Sequence, residues 1–272
     1  MRIARFVTAA GDTHMGVVED GVVIEVDVPL DALHSISERM LAAAQRRRID
    51  EVTLLAPVNR PSKVLCVGIN YVPHMEESKF ERPAEPVFFS KLPSTIVGPT
   101  DAIALPAVAP GRVDYEAELV VVIGSRGRDI DPARAFDHIA GFTVGNDISA
   151  RDWQLKKPGG QWLLGKSFDT FLPLGPWITT ADQLGDLGQL HVRCEVNGED
   201  RQDDVVSNLI FDIPTLISYI SRVATLEPGD LMMTGTPGGV GQSRTPPRWL
   251  QNGDVVETSI DQIGKLRNPV RA

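Results

Sequence analysis

The run Asp114-Tyr115-Glu116-Ala117-Glu118-Leu119-Val120-Val121-Val122-Ile123-Gly124 constrains the fold of this chain more than any other stretch. Its aliphatic half is rich in β-branched residues and closes on a glycine, which predicts a buried strand. Side chains alternate along a strand, so Glu116 and Glu118 share a face, roughly 7 Å apart. Two ionised carboxylates at that separation repel by about 2 kcal/mol at an effective dielectric of about 20. A buried strand carries such a pair only if a divalent cation, an Arg or Lys, or a shared proton offsets it. A solvent-exposed strand end is the competing explanation, and the rest of the chain weighs against it.

With 272 residues, of which 42% are hydrophobic, the chain can bury a full core as one large domain or two unequal ones. A formal net charge of −9 argues against nucleic acid or an anionic membrane as the main partner. The start Met1-Arg2-Ile3-Ala4-Arg5-Phe6 lacks the apolar core of a signal peptide, and no apolar run has the length of a membrane span. These features predict a soluble cytoplasmic protein. Cys66 and Cys194 sit in strand-like apolar runs and are expected as buried thiols.

Residues 1–58 are expected to form a small α+β unit and residues 59–272 a larger second unit, with Ala56-Pro57-Val58-Asn59-Arg60-Pro61 at the boundary. Asp20-Gly21 between two β-branched runs predicts a hairpin. Asp31 to Arg48 has the pattern of an amphipathic helix with a basic end. Strands are expected over Lys63–Gly68, Pro86–Lys91 and His191–Val196, and Val255–Ile260 is expected to be the last one. A helix is expected from Ile213 to Val223, with Pro214 at its start.

Four segments carry candidate chemistry. Pro73 to Lys79 is polar nearly all round, fits one or two helical turns and suits a mobile lid, with His74 and Glu77 spaced to share a face. A helical turn beginning near Asn146-Asp147 would put Asp147, Arg151 and Gln154 on one face, a set suited to a metal and an anionic, carbonyl-rich ligand. Lys166 emerges from the apolar run Trp162–Phe168 as an edge residue or a site cation. Thr234-Gly235-Thr236-Pro237-Gly238-Gly239-Val240-Gly241 has the look of a phosphate loop without its Gly-Lys-Ser/Thr ending or following helix. Its amides and the Thr236 hydroxyl could instead bind a carboxylate.

The segments Val67-Gly68-Ile69-Asn70-Tyr71, Asp114–Leu119, Asn146–Asp152, Gly165-Lys166-Ser167 and Thr234-Gly235-Thr236-Pro237 occur in the order seen in the fumarylacetoacetate hydrolase family, which the chain resembles over roughly residues 60 to 260. That resemblance implies an α+β, mainly β architecture: a mixed β-roll catalytic domain, a smaller N-terminal domain, and a homodimer. It implies Mg²⁺ or Mn²⁺, with Ca²⁺ in some members, held by Glu116, Glu118 and Asp147. The all-oxygen donor set points to a hard cation independently. Where some members carry a fourth acidic ligand this chain has Val72-Pro73, so three carboxylates plus water are expected. By the same resemblance Lys166, Arg151, Gln154 and Lys91 contact substrate, while His74 and Glu77 match the lid dyad of the acylpyruvase-like branch.

Those parts describe hydrolysis of a C–C bond in a β-diketo acid such as an acylpyruvate, fumarylpyruvate or a diketo-deoxy sugar acid. The metal would stabilise an enolate, the dyad would activate water, and Lys166 and Arg151 would offset charge on oxygen. The sugar-acid variant rests on the resemblance of Gly159-Gly160-Gln161-Trp162 and Pro246–Leu250 to loops of bacterial members. The alternative on the same platform is decarboxylation of oxaloacetate-like acids or isomerisation of hydroxymuconate-type diacids. A non-catalytic binding protein would have no need of the dyad and cations together, and 6% aromatic residues argue against a sugar-stacking glycosidase.

Overall fold

All seven residues of the strand Ala117–Ile123 are buried. In this computed structural model, which describes residues 1–272, the strand lies between two cores. Leu119, Val121 and Ile123 pack with Phe142, Val192 and Val256, while Val120 and Val122 pack on the other side with Ile3, Leu174 and Met233. Each such side chain contributes about 1.5–3 kcal/mol by leaving water, so the strand is firmly fixed. Its partners are both antiparallel: Ile139–Asn146 on one side and Leu231–Met233 on the other. Glu116 and Glu118 have the same parity as Val120 and Val122, and so crown the second core.

The largest sheet has twelve strands. From one edge it runs Arg46–Arg48, Val22–Val26, Thr13–Glu19, Arg2–Val7, Leu172–Thr179, Ile139–Asn146, Ala117–Ile123, Leu231–Met233, Val64–Gly68 and Val87–Lys91. Thr53–Leu55 and Ile96–Val97 pair off this path. Arg2–Val7 pairs directly with Leu172–Thr179, so one sheet runs through both predicted units. A five-stranded sheet, built on His191–Val196, Val255–Ile260 and Gly264–Arg271, covers the larger core. The fold is mainly β with few helices, as the resemblance implied. The Asp20-Gly21 and Asn197-Gly198 hairpins form with positive φ at both turn residues (46° and 77°; 56° and 76°), as such turns require.

Three local expectations need correction. Asp31 to Arg48 is not one helix: it divides into a 3₁₀ stretch, Leu30–Ser35, a six-residue helix, Glu38–Ala43, and the edge strand Arg46–Arg48. The helix buries no residue and so has no apolar face to extend it. The arginines pair in register with Val22, Val23 and Ile24, and Arg47 reaches Glu25 at 2.6 Å, a cross-strand contact a helix end would not offer. Val255–Ile260 is not the last strand either, because Gly264–Arg271 returns antiparallel to it; a buried Asn268 followed by Pro269 interrupts its apolar alternation. The third concerns Asp147, which lies beyond the end of Ile139–Asn146 and is not helical. Ser149–Ala150 bridges back to Val113–Asp114, and the helix spans only Arg151–Leu155.

Candidate active site

Backbone pairing sets the carboxylates. The Glu116 N–H donates to Asn146 Oδ1 at 2.9 Å, and the Asp147 N–H to the Glu116 carbonyl at 2.8 Å, which ties the two strand ends together. Glu116, Glu118 and Asp147 are all buried, with ligand oxygens within 4.8 Å of one another. Three buried cations surround them. Lys166 Nζ donates to Glu116 Oε2 at 2.7 Å and to Asp147 Oδ2 at 2.8 Å. Arg151 meets Glu116 Oε1 at 2.7 Å, donates through Nε to Asp114 at 2.9 Å and holds the Gln154 amide oxygen at 2.9 Å. Lys91 Nζ donates to Asp147 Oδ1 at 2.6 Å and to the Ile148 carbonyl at 3.2 Å.

The electrostatics separate two glutamates that share a face. Burial alone would raise the Glu116 carboxyl, but Lys166 and Arg151 outweigh it and hold the group down at about 2. Glu118 goes the other way: burial, reinforced by Asp147 and Glu116, pushes it well above the usual carboxylate range. Its hydrogen-bond donor is the Gly235 N–H at 2.7 Å, and it has no cation partner within ion-pair distance. Gly235 sits at φ +105°, and a Cβ there would stand 2.8 Å from Asn70, so glycine is needed to aim that amide. Burial opposes the charge on Lys166 as well, yet Asp147 and Glu116 raise it overall, and the ammonium persists. A buried carboxylate without a cation, beside two more oxygen donors, fits a divalent cation, and these three residues could hold one.

Facing this cluster is a cavity of about 270 Å³ that Glu116, Glu118, Arg151, Gln154 and Lys166 line together with His74, Glu77 and Thr236. His74 and Glu77 lie on the short helix Val72–Glu77, where Nδ1 and Glu77 Oε1 are 2.8 Å apart. Glu77 Oε2 accepts from the Gly239 N–H at 2.8 Å, which latches the helix to the glycine loop. Asp147 and Lys91 lie behind the wall and do not line the cavity. Lys91, expected against substrate, therefore supports Asp147 from the rear.

Thr236 lines the cavity, but its hydroxyl donates to the Ala117 carbonyl and accepts from Gln202 Nε2. It has no proton left for a ligand carboxylate. The loop amides do bind carboxylates, and they are the chain's own: Gly235 to Glu118, Gly239 to Glu77 and Gly241 to Asp114.

Other functional positions escaped the sequence reasoning. Asp114 accepts from the Tyr115, Gly241 and Gln242 amides and from Arg151, joining the carboxylate strand to the glycine loop. Gln202, from the second sheet, fixes Thr236 and the Ala117 N–H. Trp162 forms part of the cavity wall. Asp114 stood first in the strand motif and Trp162 closed the Gly159–Trp162 loop, but neither was singled out, and Gln202 gave no signal.

A family model described as "Fumarylacetoacetate (FAA) hydrolase C-terminal" matches residues 63–271, and one described as "Rv2993c-like, N-terminal" matches residues 1–57. The chain belongs to the fumarylacetoacetate hydrolase family. Among relatives, the human protein named oxaloacetate tautomerase FAHD2A, mitochondrial, is 48% identical over 241 residues, covering 88% of this chain and 76% of that protein. The Xenopus laevis oxaloacetate tautomerase fahd2 is 49% identical over 219 residues, covering 80% and 68%. Of solved structures, the 5-carboxymethyl-2-hydroxymuconate delta-isomerase from Mycobacterium smegmatis aligns with a TM-score of 0.84 at 39% identity, covering 100% of this chain and 99% of that one. The fumarylacetoacetate hydrolase from Exiguobacterium antarcticum aligns at 0.88 and 40% identity, with the same coverage. The chain is thus an enzyme-family member whose relatives include tautomerases and isomerases as well as hydrolases. No helix is long and apolar enough to cross a membrane.

Proposed function

We propose that this enzyme moves a proton within a 2-oxo acid, interconverting keto and enol forms or shifting a double bond, in place of the C–C hydrolysis first expected. The observation that carries this is the His74–Glu77 pair facing the carboxylate and cation cluster across one cavity, in a chain 48% identical to an oxaloacetate tautomerase. A carboxylate can only accept, so Glu77 draws the proton to His74 Nδ1 and leaves Nε2 with its lone pair. Nε2 takes a proton from the third carbon, the C–H electrons become the C2=C3 double bond, and the proton is returned to the C2 oxygen. Nothing is consumed, so the parts suffice without an activated water.

Lys166 and Arg151, both buried and charged, offset negative charge growing on the C2 oxygen and the carboxylate. Gln154, held by Arg151, orients the bound acid. Glu116, Glu118 and Asp147 would hold Mg²⁺ or Mn²⁺, with Ca²⁺ an acceptable substitute, since all donors are oxygen. When bound, such a cation supplies a Lewis acid that favours the enol over the keto form. The likeness to the Exiguobacterium antarcticum hydrolase supports acylpyruvate cleavage as the second candidate.

Following the enol absorbance of oxaloacetate, its CO₂ release and acylpyruvate cleavage in parallel decides between them. Proton transfer is expected to be fastest and to fall in His74→Ala. Rapid acylpyruvate cleavage with unaccelerated enol loss would overturn the proposal.

A further inference from the structure

The His74–Glu77 pair is held by a chain of contacts that begins outside the cavity. Glu77 Oε2 accepts from the Gly239 N–H at 2.8 Å, while Oε1 meets His74 Nδ1 at the same distance. A glycine turns freely about both of its backbone bonds, so this amide stays aimed at Glu77 only if the chain on either side is fixed. Upstream, the Pro237 carbonyl accepts from Gln202 Nε2 at 2.9 Å. Downstream, the Gly239 carbonyl accepts from Arg244 Nε at 3.2 Å and from the Tyr115 hydroxyl at 3.3 Å.

Arg244 also donates through Nη2 to the Arg201 carbonyl at 2.6 Å. Arg201 is the extra residue of a β-bulge: where His191–Val196 pairs with Glu199–Val205, Cys194 faces Gln202 and Glu195 faces Asp200. The loop sits hard against this bulge, and a Cβ on Gly239, at φ +100°, would overlap the Arg201 oxygen. Two acceptor oxygens brought together need a donor between them, and the guanidinium fork serves both. Arg244 does not line the cavity, and its bonds go to two carbonyls and a phenol in place of a carboxylate. Gly238 meanwhile lies against the helix that carries the pair, where a Cβ would stand 3.3 Å from Pro73 Cβ, so a shift of the loop passes to that helix. We propose that Arg244 is a positioning residue for the base: it fixes the Gly239 backbone, whose N–H fixes Glu77, which in turn fixes His74, a proposal that rests on the assignment of His74 and Glu77 as the base.

The test measures enol loss from oxaloacetate with Mg²⁺ in the parent, Arg244→Met, Glu77→Ala and the double variant. In Arg244→Met, kcat is expected to fall by about 10- to 100-fold, the cost of misplacing a reacting group by about 1 Å, with KM within about twofold. In the Glu77→Ala background the same substitution should change kcat by less than about twofold, since the contact it serves is gone. Should Arg244→Met fail to fold, Arg244→Lys, which keeps the charge but not the fork, is expected to show the same pattern at about 3- to 30-fold. Hydrogen exchange read by mass spectrometry needs no turnover: the amides of residues 72–79 are expected to exchange at least about threefold faster in the Arg244 variant. A kcat unmoved in a folded Arg244 variant, or an equal fall in the Glu77→Ala background, overturns the proposal. If the parent turns over no 2-oxo acid, or His74→Ala keeps full activity, the base assignment falls and the exchange arm alone decides the latch: faster exchange keeps it, and unchanged exchange removes it.

Discussion

Replacing Lys91 by methionine removes an ammonium while keeping the length of the side chain. The Lys91 side chain is fully buried, and it bonds Asp147 Oδ1 at 2.6 Å and the Ile148 carbonyl at 3.2 Å. Breaking one side of a buried pair costs about 3–5 kcal/mol, because the surviving charge stays buried. Two features put this site at the lower end: Asp147 keeps Lys166 on its other oxygen, and burial already lowers the Lys91 pKa against the pull of Asp147. At roughly 2–4 °C per kcal/mol for a chain of about this size, a loss of about 3 kcal/mol lowers Tm by about 6–12 °C. The variant also concentrates negative charge around Glu118, so Mg²⁺ is expected to raise Tm more in Lys91→Met than in the parent. Lys91 does not line the cavity, so KM for a 2-oxo acid should stay within about twofold. Differential scanning fluorimetry with and without Mg²⁺, together with steady-state kinetics, measures all three. A Tm within about 2 °C of the parent combined with a large rise in KM would refute this and make Lys91 a substrate contact.

Glu118→Gln removes the buried carboxylate that has no cation partner. Calorimetric Mg²⁺ affinity is expected to drop by about 10- to 100-fold, while the metal-free protein melts no lower than the parent. His74→Ala should reduce proton transfer by about two to four orders of magnitude with Mg²⁺ binding intact, as for a lost general base. Glu77→Gln should do less, since an amide can still orient the ring. Asp114→Ala strands the Gly241 and Gln242 amides and Arg151 in a buried site. At about 1–3 kcal/mol for each lost buried partner, a destabilisation of several kcal/mol is expected by urea unfolding, with early proteolysis in the glycine loop.

What was legible in the sequence was whatever depends on local pattern. The aliphatic run announced the central strand, and the Glu116/Glu118 spacing announced two like charges on one face. The Asp-Gly pair announced its hairpin. Patterns that resemble one another misled: Asp31 to Arg48 carries helical periodicity but no face that the fold buries, so its basic end joined a sheet edge. Asp147, Arg151 and Gln154 do meet one cluster, but a strand end and a separate short helix bring them there, with Glu116 as the hub. Gln202 was invisible and Trp162 was read only as part of a loop, because contacts across 34 residues to Thr236, or with Gly68, exist only after the sheets pack.

The assignment of chemistry was least legible for a physical reason. A carboxylate cluster that favours an enolate and a His–Glu base serve proton transfer and hydrolysis alike, since both begin by stabilising the same charge on the same oxygen. What separates them is the second atom the base reaches: a carbon-bound proton, or a water set against a further carbonyl. That choice lies in what fills the cavity beside the charges, where Trp162, Phe89 and Phe80 stand and Lys166 Nζ lies 5.0 Å over the Phe89 ring. Aromatic carbon offers a water no polar partner, so a water in line for attack would have to be held by polar side chains of the cavity such as Gln154, Gln242 and Ser243. The proposed proton transfer therefore turns less on the five family segments than on the apolar side chains that stand among them in the cavity.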